Sequence, residues 1–318
     1  MTRPTTIVTV AMNPAVDRVI EVPDFAIGEH QKGRFISRTP AGKGVNVARA
    51  LASLGVSNIV TGFVGDDCFD AYETFLSGAS VQAQLLRVAG RTRENITLID
   101  PNRGVDTHIR EAGFEVTPED LVRLRNKLNL LAGDGALVIF SGSVPPGVSP
   151  QAFREIVATV LNTGAGVAVD TSGPALTAVA DLPLWLVKPN VAELAELVDR
   201  PIIGDAAIVE AGRALSGTMQ TVIVSCGAAG GYVFVGASAL FGQVDLGARP
   251  VVNTVGCGDC LLAAFVAERS KGADVRDAYR QALAVATAAA VSLNPGEFDP
   301  AVVKELASRT AVEPVDDS

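Results

Sequence analysis

The chain has 318 residues, of which 48% are hydrophobic and 19% are charged, so it can bury a sizeable core and does not have the composition of a disordered chain. Its formal net charge of −9 argues against a nucleic-acid or anionic-membrane partner, since such partners are bound by basic surfaces. A few local lysines and arginines would still be enough to bind one phosphate group. The length predicts one large domain spanning residues 1–318.

No apolar run approaches the roughly 20 residues that a membrane-spanning helix needs. The apolar stretch near the N-terminus ends at Asn13-Pro14 and is too short for a signal peptide, so a cytoplasmic location is expected. Four cysteines do not make a disulfide scaffold in a chain of this length. The two histidines, His30 and His108, have no other ligand close in sequence, which argues against a structural zinc site.

Short β-branched runs alternate with helical patterns over most of the chain. Helix starts are clearest at Thr117 and Ser149, because each places an N-cap residue directly before a proline. This alternation predicts an α/β fold with a mostly parallel sheet and helices on both faces. The predicted strands cover residues 6–11, 58–64, 136–140, 166–170, 185–188 and 221–225.

Two segments, residues 15–40 and 92–110, break the alternation and have the pattern of paired strands joined by turns. We expect them to form a small secondary sheet that serves as a lid. The acidic tail, residues 312–318, is expected to be frayed.

Polar residues follow three of the predicted strands. Ser141 and Ser143 follow one strand, Lys188 and Asn190 follow another, and Ser225 ends a third. In an open parallel sheet, ligands bind outside the carboxyl ends of the strands. The sequence therefore predicts that the functional site lies along this edge.

The segment 253–259 follows an extended stretch and opens a helix. Gly256 and Gly258 would let the backbone approach an anion closely, and the free N–H groups of a helix N-terminus favour negative charge. Asp259 held there could accept a hydroxyl proton while a phosphoryl group is transferred. A plain glycine-rich turn explains the same spacing equally well.

Cys257 and Cys260 in this segment have the C-x-x-C spacing of redox sites, in which a helix N-terminus lowers the pKa of a thiol. The motif lies late in a long chain, far beyond the first βα unit. That position argues against a dedicated redox role.

Three other segments each have two interpretations. Residues 42–46 are not a P-loop, and they form either a sugar-binding loop or only a helix start. Residues 188–193 form either a capping box or a site for metal-bound phosphate. Residues 225–230 are either a turn between two strands or a loop whose backbone binds nucleotide phosphates. Arg93, in the predicted lid, is either a solvent-exposed charge or a residue that binds the phosphate of the substrate.

Taken together and in this order, these segments resemble the ribokinase-like (phosphofructokinase B) carbohydrate kinases over nearly the whole chain. The family's N-terminal glycine motif is matched by residues 42–46, and its C-terminal signature by residues 253–259, whose aspartate is the family's base. Within the family, the likeness is to 1-phosphofructokinases and tagatose-6-phosphate kinases. The Gly-Arg-Thr-Arg segment ending at Arg93 and the Gly-Phe-Glu-Val-Thr-Pro segment starting at Gly113 favour the first of these.

The resemblance implies a homodimeric, ATP- and Mg²⁺-dependent kinase of a ketose phosphate, with fructose 1-phosphate favoured over tagatose 6-phosphate and fructose 6-phosphate. It implies catalytic roles for Asp259, Gly256 and Gly258. The implied substrate-binding residues are Asp17, Gly42, Lys43, Asn46, Arg93, Ser141 and Ser143. The implied nucleotide-binding residues are Lys188, Asn190, Ser225, Gly227, Gly230 and Cys257, and Mg²⁺ would be held indirectly by Asn190 and Glu193.

Two residues depart from the family pattern. Cys257 stands where alanine is usual and Cys260 where serine is common. Both replacements are small, so the chemistry should survive, but the loop becomes oxidisable. A rival of another class is a non-catalytic sugar-phosphate or nucleotide sensor with the same fold, and the intact Asp259 argues against it.

The expected homodimer would form through the two lids. The apolar lid positions that suggest this contact are Val19, Ile20, Phe35 and Ile36.

Overall fold

A computed structural model describes residue 4 and residues 6–315. The strands are β1 (Thr6–Ala11), β2 (Ala15–Glu21), β3 (Arg34–Ala41), β4 (Ile59–Gly65), β5 (Gln82–Val88), β6 (Arg93–Asp100), β7 (Val105–Arg110), β8 (Ala136–Ser141), β9 (Gly166–Asp170), β10 (Leu186–Val187), β11 (Val222–Ser225), β12 (Gly231–Val235), β13 (Ser238–Val244) and β14 (Thr310–Pro314). The helices are α1 (Lys43–Ser53), α2 (Phe69–Gly78), α3 (Pro118–Leu131), α4 (Pro150–Leu161), α5 (Pro174–Thr177), α6 (Val191–Leu197), α7 (Gly204–Ser216), α8 (Cys257–Lys271), α9 (Val275–Ala290) and α10 (Pro300–Ser308).

A ten-stranded sheet runs through the centre in the order β14-β13-β12-β11-β10-β9-β8-β1-β4-β5. The strands from β11 to β5 are parallel, and β12, β13 and β14 add an antiparallel edge. The predicted fold class is confirmed. All six predicted strands are present as β1, β4, β8, β9, β10 and β11, with ends shifted by at most one residue.

The core lies in layers on both faces of this sheet because successive residues of each strand point to opposite sides. In β1, for example, Val8 packs with the layer of α3 and α4, and its neighbour Ile7 packs with the layer of α1, α8 and α9. Helix α8 is buried almost all round between its neighbours. Its first turn is therefore held firmly at the edge of the sheet.

Helix starts follow the local sequence. The Thr117 side chain caps α3 in a reciprocal box with Asp120, and the Ser149 side chain caps α4 by accepting from Ala152 N–H at 3.1 Å. Both predicted N-caps are confirmed.

The segments 15–40 and 92–110 form a separate four-stranded sheet in the order β3-β2-β6-β7. We call it the small sheet. Strands β2 and β6 are parallel, and the two outer pairings are antiparallel. The predicted secondary sheet is therefore present.

The expectation of a frayed tail is wrong for residues 312–315. Val312 is buried and lies opposite Gly242 in the β13–β14 pair, and Val315 N–H donates to the carbonyl of Ala239 at 2.9 Å. These residues complete the edge of the main sheet, so backbone pairing outweighs their acidic character. Residues 316–318 of the predicted tail lie outside the described residues.

No helix within the described part of the chain is long and apolar enough to cross a membrane.

Candidate active site

The carboxyl ends of β1, β8, β9, β10 and β11 lie side by side at one edge of the main sheet. Helices α1 and α8 both begin at this edge, and their first turns are joined by a hydrogen bond from Asn46 Nδ2 to Asp259 Oδ2 of 2.8 Å. Two helix N-termini therefore point at the same cleft. Each presents unpaired N–H groups and the positive end of its dipole, which together favour an anion.

Asp259 lies in the first turn of α8 and is only 4% exposed. Burial raises the pKa of Asp259 to about 7, and the charge of Asp170 acts in the same direction. The ammonium groups of Lys43 and Lys188 and the hydrogen bond from Asn46 lower this pKa and so limit the rise. A carboxyl group with a pKa near neutrality is suited to accept and release a proton.

Asp170, at the end of β9, is a site residue that sequence reasoning missed. Its Oδ1 atom lies 3.1 Å from Lys43 Nζ and 3.3 Å from Lys188 Nζ. Burial opposes its ionisation, but the two ammonium groups outweigh burial and hold the pKa of Asp170 below its usual range. The buried Oδ2 atom has no hydrogen-bond partner among the described residues.

Asp170 fixes both lysines at the bottom of the cleft. Lys188 is 5% exposed, and its ammonium nitrogen lies 3.3 Å from where a Cβ atom of Gly258 would be. The main chain at the start of α8 therefore passes directly beside a fixed positive charge. The ammonium groups of Lys43 and Lys188, which Asp170 holds in place, could stabilise the negative charge of a phosphoryl group during transfer.

Glycine is required at two positions around the cleft. Gly256, the N-cap of α8, has a φ of 82°, and a Cβ atom there would lie 2.8 Å from the backbone nitrogen of Gly296. Gly42, the N-cap of α1, has a φ of 115°, and a Cβ atom there would lie 2.9 Å from Cα of Pro14. Both helices can begin at the cleft only because these residues have no side chain.

Asp17 and Arg93 lie on the small sheet. Asn95 Nδ2 donates to Asp17 Oδ1 at 2.9 Å. Burial raises the pKa of Asp17, and the hydrogen bond from Asn95 and the charge of Arg93 oppose this rise. The Arg93 guanidinium donates to the main-chain carbonyls of Asn13 and Pro14.

Asn13 connects the small sheet to the main sheet edge. Its amide nitrogen donates to the carbonyl of Ala112 at 3.2 Å and to Ser143 Oγ at 3.3 Å. Ser143 is partly exposed beside this loop, whereas Ser141 is buried and its hydroxyl has no partner among the described residues. Of the two serines, Ser143 is the one that solvent can reach.

The segment 188–193 forms the capping box that its spacing predicts. Asn190 Oδ1 accepts from Glu193 N–H, and Glu193 Oε2 accepts from Asn190 N–H, both at 2.9 Å. Ser225 N–H donates to the carbonyl of Pro189 at 3.0 Å. Gly227 and Gly230 belong to the turn between β11 and β12, farther along the edge.

The structure therefore brings Lys43, Asn46, Lys188 and Asp259 into one cluster. The residues of the small sheet and those of the β11–β12 turn flank this cluster on two sides. No hydrogen bond within the described residues links either flank to Asp259.

The C-x-x-C pair lacks the properties of a redox site. Burial, with a smaller effect from Asp259, raises the pKa of Cys257 to about 11, and the same two causes raise that of Cys260 still further. Both thiols are free, and the Cys260 thiol donates to the carbonyl of Gly296. A reactive cysteine needs a lowered pKa, so these thiols are poor nucleophiles.

Comparison with known proteins identifies the family. The profile of pfkB family carbohydrate kinases matches residues 10–301. This chain belongs to the pfkB family of carbohydrate kinases. It is 32% identical over 309 residues to a 1-phosphofructokinase of Rhodobacter capsulatus, covering 96% of this chain and 97% of that protein. It is also 32% identical over 313 residues to a 1-phosphofructokinase of Escherichia coli strain K12, covering 97% and 98% of the two chains.

The fold of this kinase is also that of solved relatives. The crystal structure of phosphofructokinase-2 from Escherichia coli in complex with potassium superposes with a TM-score of 0.90 and 24% identity. The match covers 95% of this chain and 98% of that one. The family profile and the two 1-phosphofructokinase relatives confirm the family resemblance read from the sequence. The chain is a sugar-phosphate kinase with ATP as its phosphate donor.

Proposed function

We propose that this kinase transfers the γ-phosphoryl group of ATP to fructose 1-phosphate and forms fructose 1,6-bisphosphate. The observation that carries the chemistry is the buried Asp259 at the start of α8, with Lys43 and Lys188 fixed beside it by Asp170. The choice of sugar is supported by the two relatives described above, which are 1-phosphofructokinases and match along nearly their whole length.

Asp259 acts as the base in this proposal. Its carboxylate accepts the proton of the attacking hydroxyl group, and the oxygen then forms a bond to the γ-phosphorus as the bond to ADP breaks. Backbone N–H groups from Gly256 to Gly258 and the two lysine ammonium groups stabilise the charge on the transferring group. Asn46 orients the carboxylate through its 2.8 Å hydrogen bond.

The sugar phosphate would bind between the main sheet edge and the small sheet. Asp17, oriented by Asn95, would hold sugar hydroxyl groups, and Arg93 would contact the existing phosphate. Gly42, Asn46, Ser143 and Ser141 complete the proposed sugar side, with Ser141 acting from beneath because it is buried. Lys43 would act on the transferring group rather than on the existing phosphate, because its ammonium group is paired with Asp170.

ATP would bind along the other flank of the cluster. The residues proposed to contact it are Lys188, Asn190, Ser225, Gly227, Gly230 and Cys257. The glycines of the β11–β12 turn support this role, because no side chain limits the approach of a phosphate or a base there.

Mg²⁺ would be held indirectly in this proposal, since Glu193 uses only one of its two carboxylate oxygens in the capping box. The described residues contain no group of three His, Cys, Asp or Glu side chains that could hold a metal by themselves. Mg²⁺ is commonly bound by substrate phosphates, waters and one or two carboxylates. Glu193 and Asn190 would hold such an ion through water, and the ion would supply charge neutralisation for the phosphates.

The small sheet would also act as a lid and as the contact between two subunits. A lid that excludes water would limit wasteful hydrolysis of ATP. Its strands expose several large apolar side chains, which a second copy could cover. They include Phe35, Ile36, Ile99, Val105 and Ile109, with exposed fractions between 37% and 60%. Val19 and Ile20, which were expected to be exposed as well, are only partly exposed.

The test is an ADP-release assay with MgATP against fructose 1-phosphate, fructose 6-phosphate, tagatose 6-phosphate and free fructose. We expect kcat/KM for fructose 1-phosphate to exceed the others by about a hundredfold, or about 2.7 kcal/mol of transition-state discrimination. Preference for another sugar phosphate would refute the choice of substrate. No turnover of any of them would refute the proposed reaction and favour a sensor.

A further inference from the structure

A row of side chains crosses all four strands of the small sheet close to the body of the protein. Thr39 lies opposite Asp17, Asp17 lies opposite Asn95, and Asn95 lies opposite Arg110. Residues that are directly opposite each other in a sheet point to the same face. Arg110 therefore shares a face with the Asp17–Asn95 pair that is proposed to hold the sugar.

This face looks over the cleft. Arg93 precedes Asn95 by two residues, so it also points to this face, and there it contacts the Asn13–Pro14 loop beside Ser143. The next residue, Glu94, points to the opposite face. That face carries the Arg38–Glu94 ion pair and approaches the start of α2.

Arg93 alone offers an incomplete grip for a phosphate group. Its Nε atom donates to the carbonyls of Asn13 and Pro14 at 3.2 and 3.3 Å, and one of its terminal nitrogens donates to Asn13 at 2.9 Å. The loop uses the Nε–H group and one N–H group of a terminal nitrogen, so the pair of donors on that side of the guanidinium is occupied. The three remaining N–H groups, on the two terminal nitrogens, can bind two phosphate oxygens at most in a bidentate contact and leave the third oxygen without a partner from Arg93.

Arg110 supplies a second guanidinium next to Arg93. It is exposed, and among the described residues no carboxylate forms an ion pair with it. It is the diagonal neighbour of Arg93, at a spacing that long side chains can bridge. Burial and, after it, the charge of Arg110 lower the pKa of Arg93, so the two cations repel each other. The carboxylate of Asp17 attracts both cations, and a phosphate dianion bound between them would offset their repulsion further.

We propose that Arg110 is a second phosphate-binding residue that, with Arg93, makes the site selective for sugars that already carry a phosphate dianion. The proposal rests on the function proposed above, since it names the group that determines that site's substrate class. Because the guanidinium is planar, Arg110 can form two parallel hydrogen bonds to phosphate oxygens, which a lysine cannot.

Three variants test this role. Arg110→Gln removes the positive charge. Arg110→Lys keeps the charge but loses the planar guanidinium that can form two parallel hydrogen bonds. Lys304→Gln is the matched control, because it removes one exposed positive charge from α10, outside the small sheet. Each protein is assayed for steady-state kinetics, and its molecular mass is measured by light scattering.

We expect Arg110→Gln to raise KM for fructose 1-phosphate at least tenfold with kcat changed less than threefold and with KM for MgATP unchanged. Arg110→Lys should fall between this variant and the wild type, and Lys304→Gln should match the wild type. A KM for Arg110→Gln within twofold of the control would overturn the proposal. So would a rise in KM that occurs only together with a loss of molecular mass, since that would assign Arg110 to a subunit contact.

A binding measurement separates this proposal from the proposed reaction. Fructose 1-phosphate is titrated into the wild type and into Arg110→Gln by calorimetry, without ATP. If the wild type binds it but does not phosphorylate it, the reaction is refuted, and a tenfold weaker Kd for the variant still supports the phosphate site. Equal affinities for the two proteins would overturn the phosphate site whatever the activity of the wild type.

Discussion

Replacing Asp259 by asparagine is expected to stop turnover and, at the same time, to stabilise the fold above neutral pH. The pKa of about 7 in the folded protein lies above the ordinary value of 3.8. Between these values the unfolded chain has lost the proton and the folded chain keeps it, so folding is penalised increasingly as the pH rises from 4 to 7. Above pH 7 the full penalty is about 4 kcal/mol, because each pKa unit is worth about 1.4 kcal/mol.

The variant does not carry this penalty. An asparagine side chain stays neutral, and its carbonyl oxygen can accept the hydrogen bond that Asn46 donates. In urea titrations, the free energy of unfolding of Asp259→Asn should exceed that of the wild type by up to about 4 kcal/mol at pH 8 and by less than half of that at pH 5. Its kcat should fall by about 100- to 10,000-fold, the usual contribution of a general base.

Two results would refute this reasoning. The first is a variant that is less stable than the wild type at pH 8, or whose gain in the free energy of unfolding is the same at both pH values. Either outcome would show that burial does not raise the pKa of Asp259 in the folded protein. Activity near that of the wild type would remove Asp259 from the role of base.

Two further variants examine the cluster and its backbone. In the wild type, kcat/KM should rise with pH through about 7, because Asp259 must be ionised to act as the base. Lys43→Gln removes a positive charge that lowers the pKa of Asp259, so the pH profile of this variant should move to higher pH. A profile that stays in place or moves to lower pH would contradict this coupling. Gly256→Ala should lower the free energy of unfolding by about 2 kcal/mol or more, because it forces a residue with a side chain to a φ of 82° and against the facing loop. An alanine variant with the urea midpoint and kcat of the wild type would show that this loop tolerates a side chain.

Local signals explain what the sequence could predict. The parallel strands β1 and β9 are short apolar runs, and the start of α8 is marked by glycines followed by Asp259, so each could be recognised within a few residues. The antiparallel strands β13 and β14 were not predicted, and β12 was anticipated only as the second strand of the possible turn at residues 225–230. Their runs are interrupted by glycines or lie in an acidic tail, and what fixes them is pairing with a neighbouring strand.

Asp170 was missed because its role depends on residues that are distant in sequence. It ends a predicted strand, as Ser225 does, and that position was a usable signal. What makes it a site residue, however, is that Lys43 and Lys188 both reach it, one from the start of α1 and the other from the end of β10. The pattern of one sequence cannot show that these two lysines meet, since their meeting depends on the order of strands in the sheet.

The way in which the small sheet joins the body determines how it could move. Ala15 lies opposite both Ala41 and Arg93, and Arg110 lies two residues farther along, opposite Asn95. The ends of all four strands that join the body of the protein therefore lie nearly in one line across the small sheet. The four chain connections at these ends define a single axis along that line. Rotation about this axis bends each connection slightly, whereas sideways displacement would strain all four together. The tips, residues 22–33 and 101–104, would travel farthest. The row of Thr39, Asp17, Asn95 and Arg110 lies beside the axis and would keep its geometry.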